Sequence, residues 1–160
     1  MTPVIQQDRT GCAIACIAAL TGRKYTTIKR GATKLGIVVG DTRLWTDTAY
    51  VRRLLAHFSV PSGEKEEEFI SWNALPDRAL LAIKWHLEQT GAAWHWVVFA
   101  RDATTAYVLD PKKALRSHRR TDFGRMKPKW FIPIKSGRAP ARKRHAKFGC
   151  KRNHTTRTKD

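Results

Sequence analysis

Cys12-Ala13-Ile14-Ala15-Cys16-Ile17-Ala18-Ala19-Leu20 places an apolar side chain at every position of a helical wheel. A surface helix shows one apolar stripe, so a segment apolar on every side is a helix enclosed by the rest of the fold. Asp8 or Thr10 is placed to cap it near Gly11, and Gly22 to end it. Residues 26–35 and 43–58 read as two further helices, the second with a stripe of Leu44, Ala49, Val51, Leu54, Leu55 and Phe58. Residues 62–68 read as a charged loop.

After Pro76 the texture changes. Residues 79–85, 94–100, 105–109 and 129–134 are short runs rich in branched and aromatic side chains, which predicts strands. Helices first and an antiparallel sheet afterwards define an α+β fold, with the buried first helix packed on the sheet.

The 160 residues suit one domain, and their formal charge of +18 is unevenly spread. Residues 1–110 carry 13 Lys and Arg against 11 Asp and Glu, whereas residues 111–160 carry 18 against 2. From Lys135 onward the chain is basic and without apolar periodicity, so a folded domain is expected over 1–134 and a basic, flexible tail over 135–160. Such a tail suits non-specific contact with nucleic acid or another polyanion. No stretch approaches the roughly 20 apolar residues of a membrane helix, and the start lacks a signal-peptide pattern, so a cytoplasmic protein without a membrane partner is expected. Three cysteines, two of them four apart on one helix, do not make a disulfide framework and leave a free thiol.

Two stretches supply the groups of a cysteine acyl-transfer site: Gln6-Gln7-Asp8-Arg9-Thr10-Gly11-Cys12, and His95-Trp96-Val97-Val98-Phe99 running on to Asp110-Pro111. Cys12, at the first turn of its helix, gains from the positive end of the helix dipole, and a neighbouring imidazolium lowers its pKa further. A hairpin centred between Asp102 and Ala103 pairs Ala100 with Thr105, Val98 with Tyr107 and His95 with Asp110. Opposed side chains share a sheet face about 5 Å apart. In that register Asp110 accepts from His95 Nδ1, leaving Nε2 for the thiol. Gln6, or in competition Gln7, offers a side-chain amide to the oxyanion beside the Cys12 backbone N–H.

The order Gln, five residues, Cys, then Ala-Cys on a helix, followed by His-aromatic-Val-Val and Asp-Pro, resembles the bacteriocin-processing peptidase family C39 of the papain-like cysteine peptidases. The resemblance spans about residues 4–134. It implies a papain-like fold, Cys12 as nucleophile, His95 as general base, Asp110 as the residue that orients it, and Gln6 at the oxyanion. Family members usually carry an acidic residue before the nucleophile and Gly after it, where this chain has Gly11 and Ala13. Many are fused to an ABC exporter and cut leader peptides after Gly-Gly; no exporter sequence follows here.

The expected activity is that of a stand-alone thiol peptidase acting on a peptide or isopeptide bond without cofactor or metal. The same groups serve a deamidase or an acyltransferase. The reading from another class is a catalytically silent peptide-binding module with a polyanion-binding tail. Cys16 reads as core. Zinc held by Cys12, Cys16, His95 and His86 lacks a second close Cys/His pair, and Cys150 with His145 and His154 is too sparse for a metal knuckle. His57, His86 and His118 have no partner identifiable from sequence. Trp94 and Trp96 alternate with His95 and are expected on a helix-packed face, while Trp45 and Trp72 fall near loops that suit a substrate groove.

Overall fold

A computed structural model describes residues 1–88 and 91–135; most of the basic segment over 135–160 lies outside the described residues. Three helices come first, α1 (Cys12–Thr21), α2 (Tyr25–Lys34) and α3 (Ala49–His57). The strands are β1 (Glu67–Glu68), β2 (Arg78–Glu88), β3 (Gly91–Arg101), β4 (Ala106–Leu109), β5 (Arg119–Arg120) and β6 (Pro128–Pro133). They form one antiparallel sheet in the order β1-β6-β2-β3-β4-β5. The molecule is therefore α+β. No helix among the described residues is long and apolar enough to cross a membrane.

Every side chain from Cys12 to Ala19 is buried, as the unbroken apolar run requires. Gly22 ends the helix in the left-handed conformation at φ 66°, which costs glycine nothing. The helix expected over 43–58 is broken instead. Thr42–Trp45 forms a short 3-10 turn, and the Asp47 carboxylate accepts the Ala49 N–H at 2.7 Å, so α3 starts only there. An Asp that bonds its own downstream backbone competes with helix continuation, and this break turns Trp45 out of the helical row.

The sheet is covered on both faces, which explains the nearly unbroken apolar run of β2. Leu80, Ala82, Trp94, Trp96 and Val98 pack with α1, α2 and α3. Ala79, Leu81, Ile83, Val97 and Phe99 pack under Leu75, Met126 and the Trp72 ring on the other side. Trp94 and Trp96 thus take the helix-packed face expected of them, whereas Trp72 is partly buried against the second core, with ring contacts to Phe69, Phe99 and Phe123. The edge strands β1 and β5 escaped the sequence reading because each is two charged residues long. Ile134 bridges to Ser62 and the Lys135 N–H donates to Pro61 O, closing the described part of the sheet.

Candidate active site

The approach to α1 is fixed without a side-chain cap. Gly11 is the N-cap residue and offers no side-chain cap to the first turn. Asp8 and Thr10, the expected caps, are engaged elsewhere: the Asp8 carboxylate accepts from Tyr25 Oη at 2.9 Å and Lys29 Nζ at 2.8 Å, and Thr10 Oγ1 accepts the Gly40 N–H at 2.7 Å. Tyr25 passes so close to the chain on its way to Asp8 that a Cβ on Gly11 would lie 2.0 Å from its hydroxyl. Glycine before the cysteine is therefore a packing requirement of this loop. The Cys12 N–H, at the first helical residue, has no acceptor within the helix.

The second stretch is brought alongside by β3 and β4 and by a backbone bond from Gln6 N–H to Pro111 O at 3.0 Å. The hairpin register differs from the expected one by two. Val98 opposes Leu109 and Ala100 opposes Tyr107, because the tight turn runs from Asp102 to Thr105, one residue later than anticipated. A shift of two preserves the sheet face. Asp110 consequently lies just past the end of β4 rather than opposite His95, and the two still bond, His95 Nε2 to Asp110 Oδ1 at 2.7 Å. The nitrogen assignment is the reverse of the expected one: Nε2 is taken by the carboxylate, which leaves Nδ1 for the hydrogen bond between His95 and Cys12.

Asp110 is fully buried and both of its carboxylate oxygens accept hydrogen bonds. Oδ1 also accepts the Lys112 N–H at 3.1 Å, and Oδ2 accepts from Arg120 Nη1 at 2.8 Å. Arg120 is itself held by Asp122 through Nε and Nη2. His118, for which sequence offered no partner, donates from Nδ1 to Asp110 O at 3.0 Å while its own carbonyl accepts the Asp110 N–H.

These contacts set the charges. Burial pushes the Cys12 thiol up, but the hydrogen bond and positive charge of His95, with the N–H groups of Trp96 and Ala13, outweigh it and hold the thiol below its ordinary value. Burial likewise pushes His95 down, yet its bonds to Asp110 and Cys12 raise it to about 9. Burial pushes Asp110 up; His95, the Lys112 N–H and Arg120 pull it well below the usual carboxylate range. The three shifts act together: they favour a thiolate at Cys12, an imidazolium at His95 and a carboxylate at Asp110. Cys16, one turn deeper, donates its S–H to Trp96 O at 3.3 Å, and burial raises its pKa well above the ordinary value.

Cys12 and His95 open onto a cleft of about 270 Å³ whose wall includes Gln6, Trp45 and Trp94. Gln6, and not the exposed Gln7, faces it. The Gln6 Nε2 donates to Asp8 O at 3.2 Å and Arg9 O at 3.3 Å, and its Oε1 is buried without a partner. His86 lines the same cleft, with Nδ1 donating to Lys84 O at 2.8 Å. His57 instead stacks edge-on against Phe58.

Sequence reasoning missed Arg120, Lys84 and Lys112. Arg120 sits in a two-residue strand that no periodicity marks, and its only signal was Asp122 two residues on. Comparison of the chain with models of known protein families, with curated proteins and with solved structures found no match.

Proposed function

We propose that this protein acts as a papain-like cysteine peptidase, a thiol acyl-transfer hydrolase acting on a peptide or isopeptide bond. The observation that carries the reading is the hydrogen-bonded row Cys12, His95, Asp110 at the wall of an open cleft, with its thiol held below its ordinary pKa. In the cycle, the Cys12 thiolate attacks the carbonyl carbon and the carbonyl π pair moves onto oxygen. The oxyanion is met by the Cys12 N–H and the Gln6 amide, whose present bonds of 3.2 and 3.3 Å are long enough to be exchanged for a stronger, charge-assisted one. As the C–N bond breaks, the His95 imidazolium gives its proton to the leaving amine. Neutral His95 then takes a proton from water, the hydroxyl oxygen adds to the thioester, and Cys12 departs as thiolate. Asp110 keeps the ring oriented throughout. A glutamine side chain as acyl donor makes the same cycle a deamidation, and an amine in place of water makes it a transfer.

The test is selective alkylation. Iodoacetamide at pH 6 is expected to modify Cys12, located by peptide mass mapping, far faster than free cysteine. Modification at that site disappears in Cys12→Ser and slows about tenfold or more in His95→Ala. Labelling of Cys12 no faster than free cysteine would favour the second reading, a silent peptide-binding module. The basic composition of residues 135–160, ten Lys and Arg against one acid, supports polyanion contact by either kind of protein.

A further inference from the structure

Three cations from three separate segments meet at the cleft that holds Cys12: Arg9 before α1, Lys84 in β2 and Lys112 just beyond Asp110. Each side chain is exposed, and among the described residues none has a carboxylate within ion-pair distance. The concentration is not a by-product of overall charge, because residues 1–110, which supply Arg9 and Lys84, are nearly neutral in sum.

Lys84 is held in place by a local distortion. Ile83 opposes His95 and His86 opposes Ala93, so Lys84 and Trp85 together face the single residue Trp94, a β-bulge. Lys84 adopts φ 56°, the left-handed region that a side chain with a Cβ enters at an energetic cost. Strain of this kind persists where the surroundings over-determine it, and bulges next to active sites re-aim a side chain. Arg9 is oriented differently, its guanidinium lying 4.8 Å over the Trp45 ring, which fixes the plane and leaves the donors open.

We infer that the cleft selects acyl donors bearing acidic side chains beside the scissile carbonyl, with Arg9, Lys84 and Lys112 reading the carboxylates of a peptide. This rests on Cys12 being the nucleophile. A thiolate attacks a carbonyl, which a peptide carries and a phosphodiester does not, so a peptide rather than nucleic acid is the anion that fits this cleft.

The experiment uses the full chain with Cys12→Ala, which stops turnover. A glutamate-rich peptide, blocked at both ends, is titrated beside its glutamine counterpart, the glutamine peptide with a free C-terminus, and a single-stranded oligonucleotide. The blocked acidic peptide is expected to bind about tenfold more tightly than the neutral one. That preference should fall to about twofold or less when Arg9→Gln, Lys84→Gln and Lys112→Gln are added, although the basic segment beyond Lys135 is untouched. Lys84→Gly, which suits the left-handed backbone, removes one charge without disturbing the bulge and should lower the preference in part. Equal binding of the two blocked peptides, a preference that survives the triple variant, a preference only for the free C-terminus, or a loss confined to the oligonucleotide would each overturn the assignment.

A second measurement separates this proposal from the peptidase reading: the ratio of iodoacetate to iodoacetamide labelling at Cys12, with and without the three cations. Fast labelling at an unchanged ratio overturns the charge selection and leaves the nucleophile. Labelling no faster than free cysteine, at a ratio that still falls in the triple variant, overturns the nucleophile and leaves the charge selection.

Discussion

Cys12 and Cys16 sit one turn apart on α1 and both bond the backbone of the same residue, Trp96, yet they are opposite kinds of sulfur. Cys12 accepts the Trp96 N–H and has an imidazole beside it; Cys16 donates to the Trp96 carbonyl and has none. A donor pointed at sulfur favours the thiolate, and an acceptor favours the thiol. The result is one cysteine held below its ordinary pKa and one driven well above it by burial and by the charges of Cys12 and Asp110. Residue type and burial do not separate the two, since Cys12 is 4% exposed and Cys16 1%. The polarity of one peptide unit and the reach of His95 do.

Removing the first sulfur should have the largest effect. Cys12→Ser is expected to lower turnover of an acidic peptide by about a thousandfold or more, since a serine hydroxyl is not ionised by this imidazole. The same variant takes the sulfur away from His95, so the ring, which Asp110 and Cys12 raise to about 9, should titrate lower when followed by NMR. An unchanged His95 titration would mean that the sulfur and the ring do not share charge.

The pH profile sharpens the contrast next. If Cys12 is the nucleophile, activity is expected to rise on the acid side as its thiol ionises, below the ordinary thiol range, and to fall on the alkaline side near pH 9 as His95 loses the proton owed to the leaving amine. Stability follows the same ring. His95 is raised in the folded state, so its contribution is complete below its unfolded value of about 6.5 and is lost as pH climbs through 9. Asp110 is depressed, so its contribution is present above about 3.9 and is lost as pH falls below that. Denaturant midpoints across pH should decline at both ends, and the part of the alkaline decline between about pH 6.5 and 9 should shrink in His95→Asn, while the part above about 9 that comes from the buried Cys16 thiol remains.

What could be read from the chain beforehand divides along the same line. The buried α1 was legible because nine consecutive apolar residues admit one environment, and the four longer strands β2, β3, β4 and β6 because branched and aromatic runs alternate with turn residues. Cys12, His95, Asp110 and Gln6 were legible as a set of chemical groups in order. The hairpin register and the choice of ring nitrogen were not, since both depend on where one turn closes, and composition around Asp102 to Thr105 fits either closure. The bulge at Lys84 and the Arg120 bond to Asp110 were invisible for a different reason: each joins residues through the sheet, where a lysine at φ 56° or an arginine in a two-residue strand leaves no periodic trace.

Arg120 offers a middle-sized perturbation, acting on the sulfur only through two intermediaries. Its guanidinium satisfies Oδ2 of a carboxylate that has no access to solvent. Arg120→Gln leaves that buried charge short of a partner, which should cost about 3 kcal/mol in denaturant unfolding. It also removes a positive charge from the neighbourhood of His95, so the alkaline limb of activity should move above pH 9 while Arg120→Lys brings it part of the way back. Loss of stability with no movement of that limb would make Arg120 a structural residue rather than a positioning one.

The smallest effect tests the other half of the comparison. Cys16→Ala removes the donor to the Trp96 carbonyl and one sulfur's volume from the core, a change worth about 1–2 kcal/mol of stability. Cys16→Ser keeps a donor and should cost less. Neither substitution touches the Trp96 N–H, His95 or the Ala13 N–H that hold the Cys12 thiol down, so iodoacetamide labelling of Cys12 at pH 6 should stay within about twofold of the unmodified protein. A tenfold slowing in either variant would join the two sulfurs into one functional unit, because a carbonyl that merely accepts from a core thiol has no route to the reactivity of its neighbour.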